Sequence, residues 1–232
     1  ASRRGAGLTG RINPPTPLGE TETPARPLFP TVMCDRLDRN GQTRTDDRWL
    51  SPDPLDAPLP ADVQHSVGDF LDRGAVTTLS EWTDEIRRYA GGEIDTAQLC
   101  HADGESEHRG VVDGERYDFR CFYDALVLAA IEARPVAVQT VSPSGAAIEA
   151  NVADGEVSVE PPSAVFSLGI SPDAAARSDG NPTLEEWYGA ICPHVRAFPD
   201  REAYERWAAD ARAATIGLPF SAAPTVTDAL VG

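Results

Sequence analysis

The sequence predicts an α+β fold, and three observations carry that expectation. Strand-like segments gather in one run between residues 136 and 170, with turn residues rather than helices between them. Helical patterns flank the run on both sides. No alternation of strand and helix appears that would build a parallel sheet, and no internal repeat is apparent.

Residues 1–60 are punctuated by Pro14, Pro15, Pro24, Pro27, Pro30, Pro52, Pro54, Pro58 and Pro60, too often for a long helix. They read as an extended or partly disordered arm, in which Leu28-Phe29 and Val32-Met33-Cys34 are the segment to dock on the domain. Residues 61–92 form a short helical segment. Val63, Val67, Phe70 and Leu71 recur at helical spacing up to Gly74. Thr78-Leu79-Ser80-Glu81 then has the form of a capping box. Leu79, Trp82, Ile86 and Tyr89 share one face of the helix it opens, and Gly91-Gly92 stops it.

Residues 93–232 form the main domain. Val111 to Phe119 predicts a hairpin turning at Asp113-Gly114. Residues 121–133 predict a helix that ends before Arg134-Pro135. Strands follow at 136–142, 146–152, 156–160 and 164–170, separated by Pro143-Ser144-Gly145, Asp154-Gly155 and Pro161-Pro162. Pro182 opens a short helix through Trp187, and Val195 to Phe198 is extended. An amphipathic helix over 201–213 turns Tyr204, Trp207, Ala208 and Ala211 inward.

The chain of 232 residues carries 37 acidic and 20 basic residues, a net charge of −17, and every basic residue is arginine. Such a composition suits a solvent of multimolar salt, where self-repulsion is screened within roughly 3 Å at 1 M. We therefore expect a salt-adapted protein; coding bias in a GC-rich genome is the alternative source of the same pattern. The acidity argues against nucleic acid and anionic membranes as partners. No apolar stretch reaches the roughly 18 residues that span a bilayer, and Arg3-Arg4 precedes no apolar run of a secretion signal. Four scattered cysteines (Cys34, Cys100, Cys121 and Cys192) make no disulfide framework, so free thiols in a reducing cytoplasm are expected.

Cys121 and Asp124, three apart at the start of a predicted helix, project from one face of its first turn. The helix N-terminus favours thiolate and carboxylate by about 0.3–1 kcal/mol. That is less than one pKa unit, so the dipole alone leaves a thiol protonated; a bound soft metal would not. Cys192 precedes Pro193, which favours an extended backbone there. Taken one at a time, each cysteine reads equally as a small buried core residue, and His194 as a hydrogen-bonded structural one. Cys100-His101 invites zinc, but no Cys-x-x-Cys pair occurs in the chain.

In chain order these pieces resemble the alkylmercury lyase (organomercurial lyase) family. The hairpin Asp113-Gly114-Glu115-Arg116-Tyr117 leads to the Cys-x-x-Asp helix at Cys121 and Asp124. A strand block follows, with the turn Val141-Ser142-Pro143-Ser144-Gly145 and the strand entry Pro162-Ser163-Ala164-Val165. Then come Cys192-Pro193-His194-Val195-Arg196-Ala197-Phe198 and a helix containing Trp207. The resemblance runs from about His101 to the C-terminus.

It implies a core of short antiparallel strands with flanking helices. It also implies that Cys121 and Cys192 are the thiolate pair that takes the mercury of an organomercurial. Asp124 would carry a proton from a thiol to the leaving carbon. The products would be a hydrocarbon and Hg(II) held by sulfur. The resemblance implies no required cofactor, external thiols for turnover, and possible hand-over of Hg(II) to a mercuric reductase. The sequence departs from the family pattern where Val141 stands near a common strand cysteine and where Pro193 replaces a second cysteine that some members carry. The family's helical N-terminal domain is abbreviated to 61–92, and Cys34 and Cys100 have no family counterpart. Two other readings stay open on the residues: a soft-metal binding protein without lyase activity, and a thiol redox or sensor protein in which Cys121 and Cys192 form a disulfide.

Overall fold

Why the strand run makes two sheets rather than one follows from its burial pattern. In the computed structural model, which describes residues 48–51, 53–177 and 182–232, two helices come first: α1 (Ala61–Phe70) and α2 (Leu79–Ala90). The hairpin β1 (His108–Val112) and β2 (Glu115–Phe119) precedes α3 (Tyr123–Glu132). Next are β3 (Val136–Val141), β4 (Ala147–Ala153), β5 (Glu156–Glu160) and β6 (Val165–Ile170). The chain closes with α4 (Leu184–Ile191), β7 (Arg196–Phe198), α5 (Arg201–Asp210), β8 (Ala214–Pro219) and α6 (Ala223–Val231).

Strands β2-β1-β3-β4-β5 form one antiparallel sheet and β7-β6-β8 a second. Val136, Val138 and Thr140 of β3 alternate as buried positions with exposed Ala137 and Gln139, as expected of a sheet wet on one face. All six residues of β6 are buried instead, so that strand is covered on both faces. The α+β class expected from the sequence is the class observed.

Helix α3 links the two sheets. Seven consecutive residues, Tyr123 to Ala129, are buried, the mark of a helix enclosed on every side. It lies so close to β1 that a Cβ on Gly110 would stand 3.2 Å from that of Ala125. Phe122, Tyr123, Phe166 and Phe220 interlock at its N-terminal end, at centroid distances of 5.4–6.2 Å. Helices α1 and α2 bury Val63, Val67, Phe70, Leu79 and Trp82 in the same core. The turns follow their residues: Asp113 (φ 49°) and Gly114 (φ 87°) supply the two left-handed positions of a tight hairpin.

Several expectations need correction. Helix α3 begins at Tyr123, so Cys121 lies in a bend before it instead of in its first turn. Helix α4 runs four residues past Trp187, because the Thr183–Glu186 capping box fixes its start and its buried Trp187 and Ala190 share a face. Cys192 is helical (φ −53°, ψ −35°), not extended. The bond from the Val195 N–H to the Cys192 carbonyl tightens the end of α4 into a 3-10 turn that overrides the local bias of a residue before proline. At the start of α2, Thr78 caps the Glu81 N–H as expected, but the Glu81 carboxylate reaches past it to the Thr77 N–H at 2.7 Å. Helix α5 ends at Asp210, and Ala211 is extended. Strand β8 and helix α6 lack any counterpart in the sequence reading. The docking expectation for Leu28 to Cys34 lies outside the described residues.

Candidate active site

Three segments converge below α2 and α4. The first is the stretch around Cys100, which runs antiparallel to the end of β2. Ala102 N–H donates to the Asp118 carbonyl and Arg120 N–H to the Cys100 carbonyl, both at 2.9 Å. The second is the bend at Cys121 and the first turn of α3. The third is the 3-10 turn at Cys192, anchored to β6 by the Ser167 hydroxyl, which donates to the His194 carbonyl at 2.9 Å.

These segments bring the three residues singled out in the sequence together. The ligand atoms of Cys121, Asp124 and Cys192 all lie within 4.8 Å of one another, and all three residues are buried. The Cys121 thiol donates to Asp124 Oδ2 at 3.1 Å. Asp124 Oδ1 accepts the Cys100 backbone N–H at 3.2 Å. Cys100, Cys121 and Cys192 are free thiols.

The cluster forms one wall of an apolar cavity of ≈110 Å³. Trp82 and Ile86 of α2, Val127 of α3, Trp187 of α4 and Leu230 of α6 supply other walls. That setting decides the protonation states. Burial drives the Asp124 carboxyl above its ordinary value, against the bonds from Cys121 and Cys100 that pull it down. For Cys121, the hydrogen bond with Cys192 pulls the thiol down, yet burial and the neighbouring Asp124 outweigh it and the net direction is up. The Cys192 thiol stands well above its ordinary range, through its hydrogen bonds with Cys100 and Cys121 and then burial. Cys121 and Cys192 therefore rest as thiols, and Asp124 as the acceptor of the Cys121 proton in their hydrogen bond. The favourable end of the α3 dipole is overcome by desolvation.

Sequence reasoning missed two groups here. Cys100 had no assignable role, yet its N–H holds Asp124 and its thiol adjoins Cys192. Tyr188 lines the cavity while its hydroxyl bonds the Gln98 carbonyl. Neither left a local signal, because the Cys100 N–H acts across 24 residues of chain and the Tyr188 hydroxyl across 90. His194 is placed beside the site through its backbone carbonyl.

Comparison with known proteins identifies the family. A family profile described as "MerB: Alkylmercury lyase" matches residues 102–232. Among solved structures, one titled "Crystal structure of the mercury-bound form of MerB2" is similar at 17% identity and a TM-score of 0.43, over 74% of this chain and 91% of that one. No curated protein sequence matches. The family match spans more than half of the 232 residues, including Cys121, Asp124 and Cys192, and on that match the chain belongs to the alkylmercury lyase family, enzymes that cleave carbon–mercury bonds.

Proposed function

We propose that Cys121 and Cys192 hold the mercury and Asp124 moves the proton in an organomercurial lyase reaction at this site. One observation carries the assignment: two thiols and a carboxyl group meet within 4.8 Å at the wall of an apolar cavity. Soft sulfur selects mercury, and a buried acid whose proton affinity is raised suits proton transfer between a thiol and a carbon.

The substrate arrives as an organomercury thiolate, R–Hg–SR′. One cysteine thiol displaces SR′, which leaves as R′SH with the cysteine's proton. The Asp124 carboxylate then takes the proton of the second thiol as that sulfur closes on mercury. Asp124 returns the proton to the carbon. The electron pair of the Hg–C bond becomes the new C–H bond, RH leaves, and Hg(II) stays on two sulfurs with Asp124 again anionic. The apolar cavity gives a small R group its place and keeps water from competing for the proton.

External thiols unload the metal, with a mercuric reductase as one possible recipient. Free buried thiols fit a reducing cytoplasm, and no described helix is long and apolar enough to cross a membrane. The arginine-only, strongly acidic composition supports salt adaptation. Residues 93–232 form the catalytic domain in this reading. The helical segment 61–92 covers the cavity.

The test is headspace detection of methane or benzene from methyl- or phenylmercury, at high salt with excess thiol. Native protein is expected to release hydrocarbon; none would sink the assignment. Asp124→Asn is expected to keep mercury bound while turnover drops by roughly 10²–10⁴. Turnover at the native rate would remove Asp124 from the mechanism.

A further inference from the structure

Three free, buried thiols gather at this site, Cys100, Cys121 and Cys192. The Cys100 backbone N–H donates to Asp124 Oδ1 at 3.2 Å, and the ligand atoms of Asp124, Cys121 and Cys192 lie within 4.8 Å of one another, so Cys100 adjoins the cluster on the side of Cys192, whose thiol it influences. Cys100 lies ahead of the first residue matched by the family profile, and the antiparallel bonding of residues 100–102 to the end of β2 brings it here.

The three thiols straddle a wall. Cys121, Asp124 and Cys192 line the apolar cavity. Cys100 lines a separate, more open pocket of ≈400 Å³ with His101, Arg120 and Glu185. Leu99, Leu184 and Tyr188 belong to both and form the partition. The Tyr188 hydroxyl ties α4 to the Gln98 carbonyl and so holds that partition to the Cys100 segment.

The partition poses a chemical problem for product release. Hg(II) on two thiolates leaves sulfur only by exchange with another sulfur, and a hydrated external thiol is poorly solvated in the apolar cavity. We propose that Cys100 is a third mercury-binding thiol, which takes the Hg(II) product over from Cys121 and presents it, on Cys192 and Cys100, to the polar pocket. The Cys100 sulfur forms a bond to mercury and the mercury–Cys121 bond breaks. The Cys100 proton ends on the Cys121 sulfur, and Asp124 can carry it because it bonds both the Cys121 thiol and the Cys100 segment. No redox change occurs, and the Cys121–Asp124 pair is restored while the metal awaits an external thiol.

The inference rests on the assignment of Cys121 and Cys192 as the mercury pair. Its test uses the full chain loaded with one equivalent of Hg(II) and titrated with glutathione. Cys121→Ser is expected to keep mercury on two protein sulfurs by X-ray absorption. It should hold the metal against roughly 100-fold more glutathione than the double variant Cys100→Ser, Cys121→Ser, since two tethered thiolates act at high effective concentration. Equal loss from both variants, or a single protein sulfur at mercury, overturns the proposal. If native protein itself fails to retain Hg(II), the mercury pair is wrong and the inference falls with it; retention by native protein with no difference between variants removes Cys100 alone. Should the Cys121 variants misfold by circular dichroism, mercury unloading to glutathione decides. Native protein is expected to unload about tenfold faster than Cys100→Ala, because access to the attacking thiol sets exchange rates, and equal rates overturn the proposal.

Discussion

Asp124 is an acid at 8% exposure whose bonding partners are the Cys121 thiol and the Cys100 backbone N–H. Burial raises its carboxyl above the ordinary value, so the folded chain holds this proton more tightly than the unfolded chain does. Between the unfolded value, about 3.9, and the raised folded one, the native state binds more protons, and stability must fall as pH rises. Asparagine keeps a carbonyl for the Cys100 N–H and has no proton to lose. Asp124→Asn is therefore expected to melt above native protein at neutral pH, with the gap closing on acidification towards pH 4. A variant melting below native protein at neutral pH would contradict the desolvation account. The types and spacing of Cys121 and Asp124 were readable in the sequence; the direction of their proton affinities was not, because it depends on walls contributed by α2, α4 and α6.

Elements with strong local punctuation were legible. The Asp113-Gly114 hairpin, the Thr78 cap and the Gly91 stop appear where turn and cap chemistry places them. Strand β8 was not, since its buried run Ala214 to Leu218 has no alternation to reveal it, and its partner β6 lies more than 40 residues earlier. The two meet closely at Gly169, where an added Cβ would stand 2.7 Å from Thr215 Cγ2, 2.9 Å from the Ala214 carbonyl oxygen and 3.0 Å from His194 Cβ. The second contact is backbone and the third belongs to the turn that carries Cys192. Gly169→Ala is thus expected to destabilise by about 1–3 kcal/mol, lowering the melting midpoint by roughly 2–4 °C per kcal/mol, and to weaken Hg(II) retention. Gly189→Ala, at an exposed position of α4 with nothing within 4 Å of the new Cβ, is the control. It should stabilise by about 0.5–1 kcal/mol. Equal midpoints for the two variants would show that the β6–β8 contact yields.

At the scale of the whole molecule, a net charge of −17 on 232 residues is a standing self-repulsion. Exposed pairs such as Arg201–Glu205 and Arg206–Glu202 offset little of it, each about 0.3–0.5 kcal/mol. Screening offsets more: the Debye length falls from about 10 Å at 0.1 M salt to about 3 Å at 1 M. The melting midpoint is expected to climb as KCl rises from 0.1 M into the molar range. A flat or falling midpoint would return the composition to coding bias. Tertiary connection matters at this scale too. Arg196 of β7 reaches His108 of β1 at 3.2 Å, and burial followed by that cation keeps His108 below its ordinary value, so the link between the sheets is made by a neutral imidazole.

The sequence by itself determined the α+β class, the hairpin, both limits of α2 and the family resemblance, because each rests on residue order along the chain. It also named Cys121, Asp124 and Cys192 as one set through that resemblance. Only the tertiary structure decided that their ligand atoms meet, that Cys192 sits in a helical turn, and that Cys100 adjoins it. The reason is physical. Local order fixes backbone preference within a few residues, whereas the meeting of thiols from three distant segments is set by how β6, β8 and α3 pack into one core.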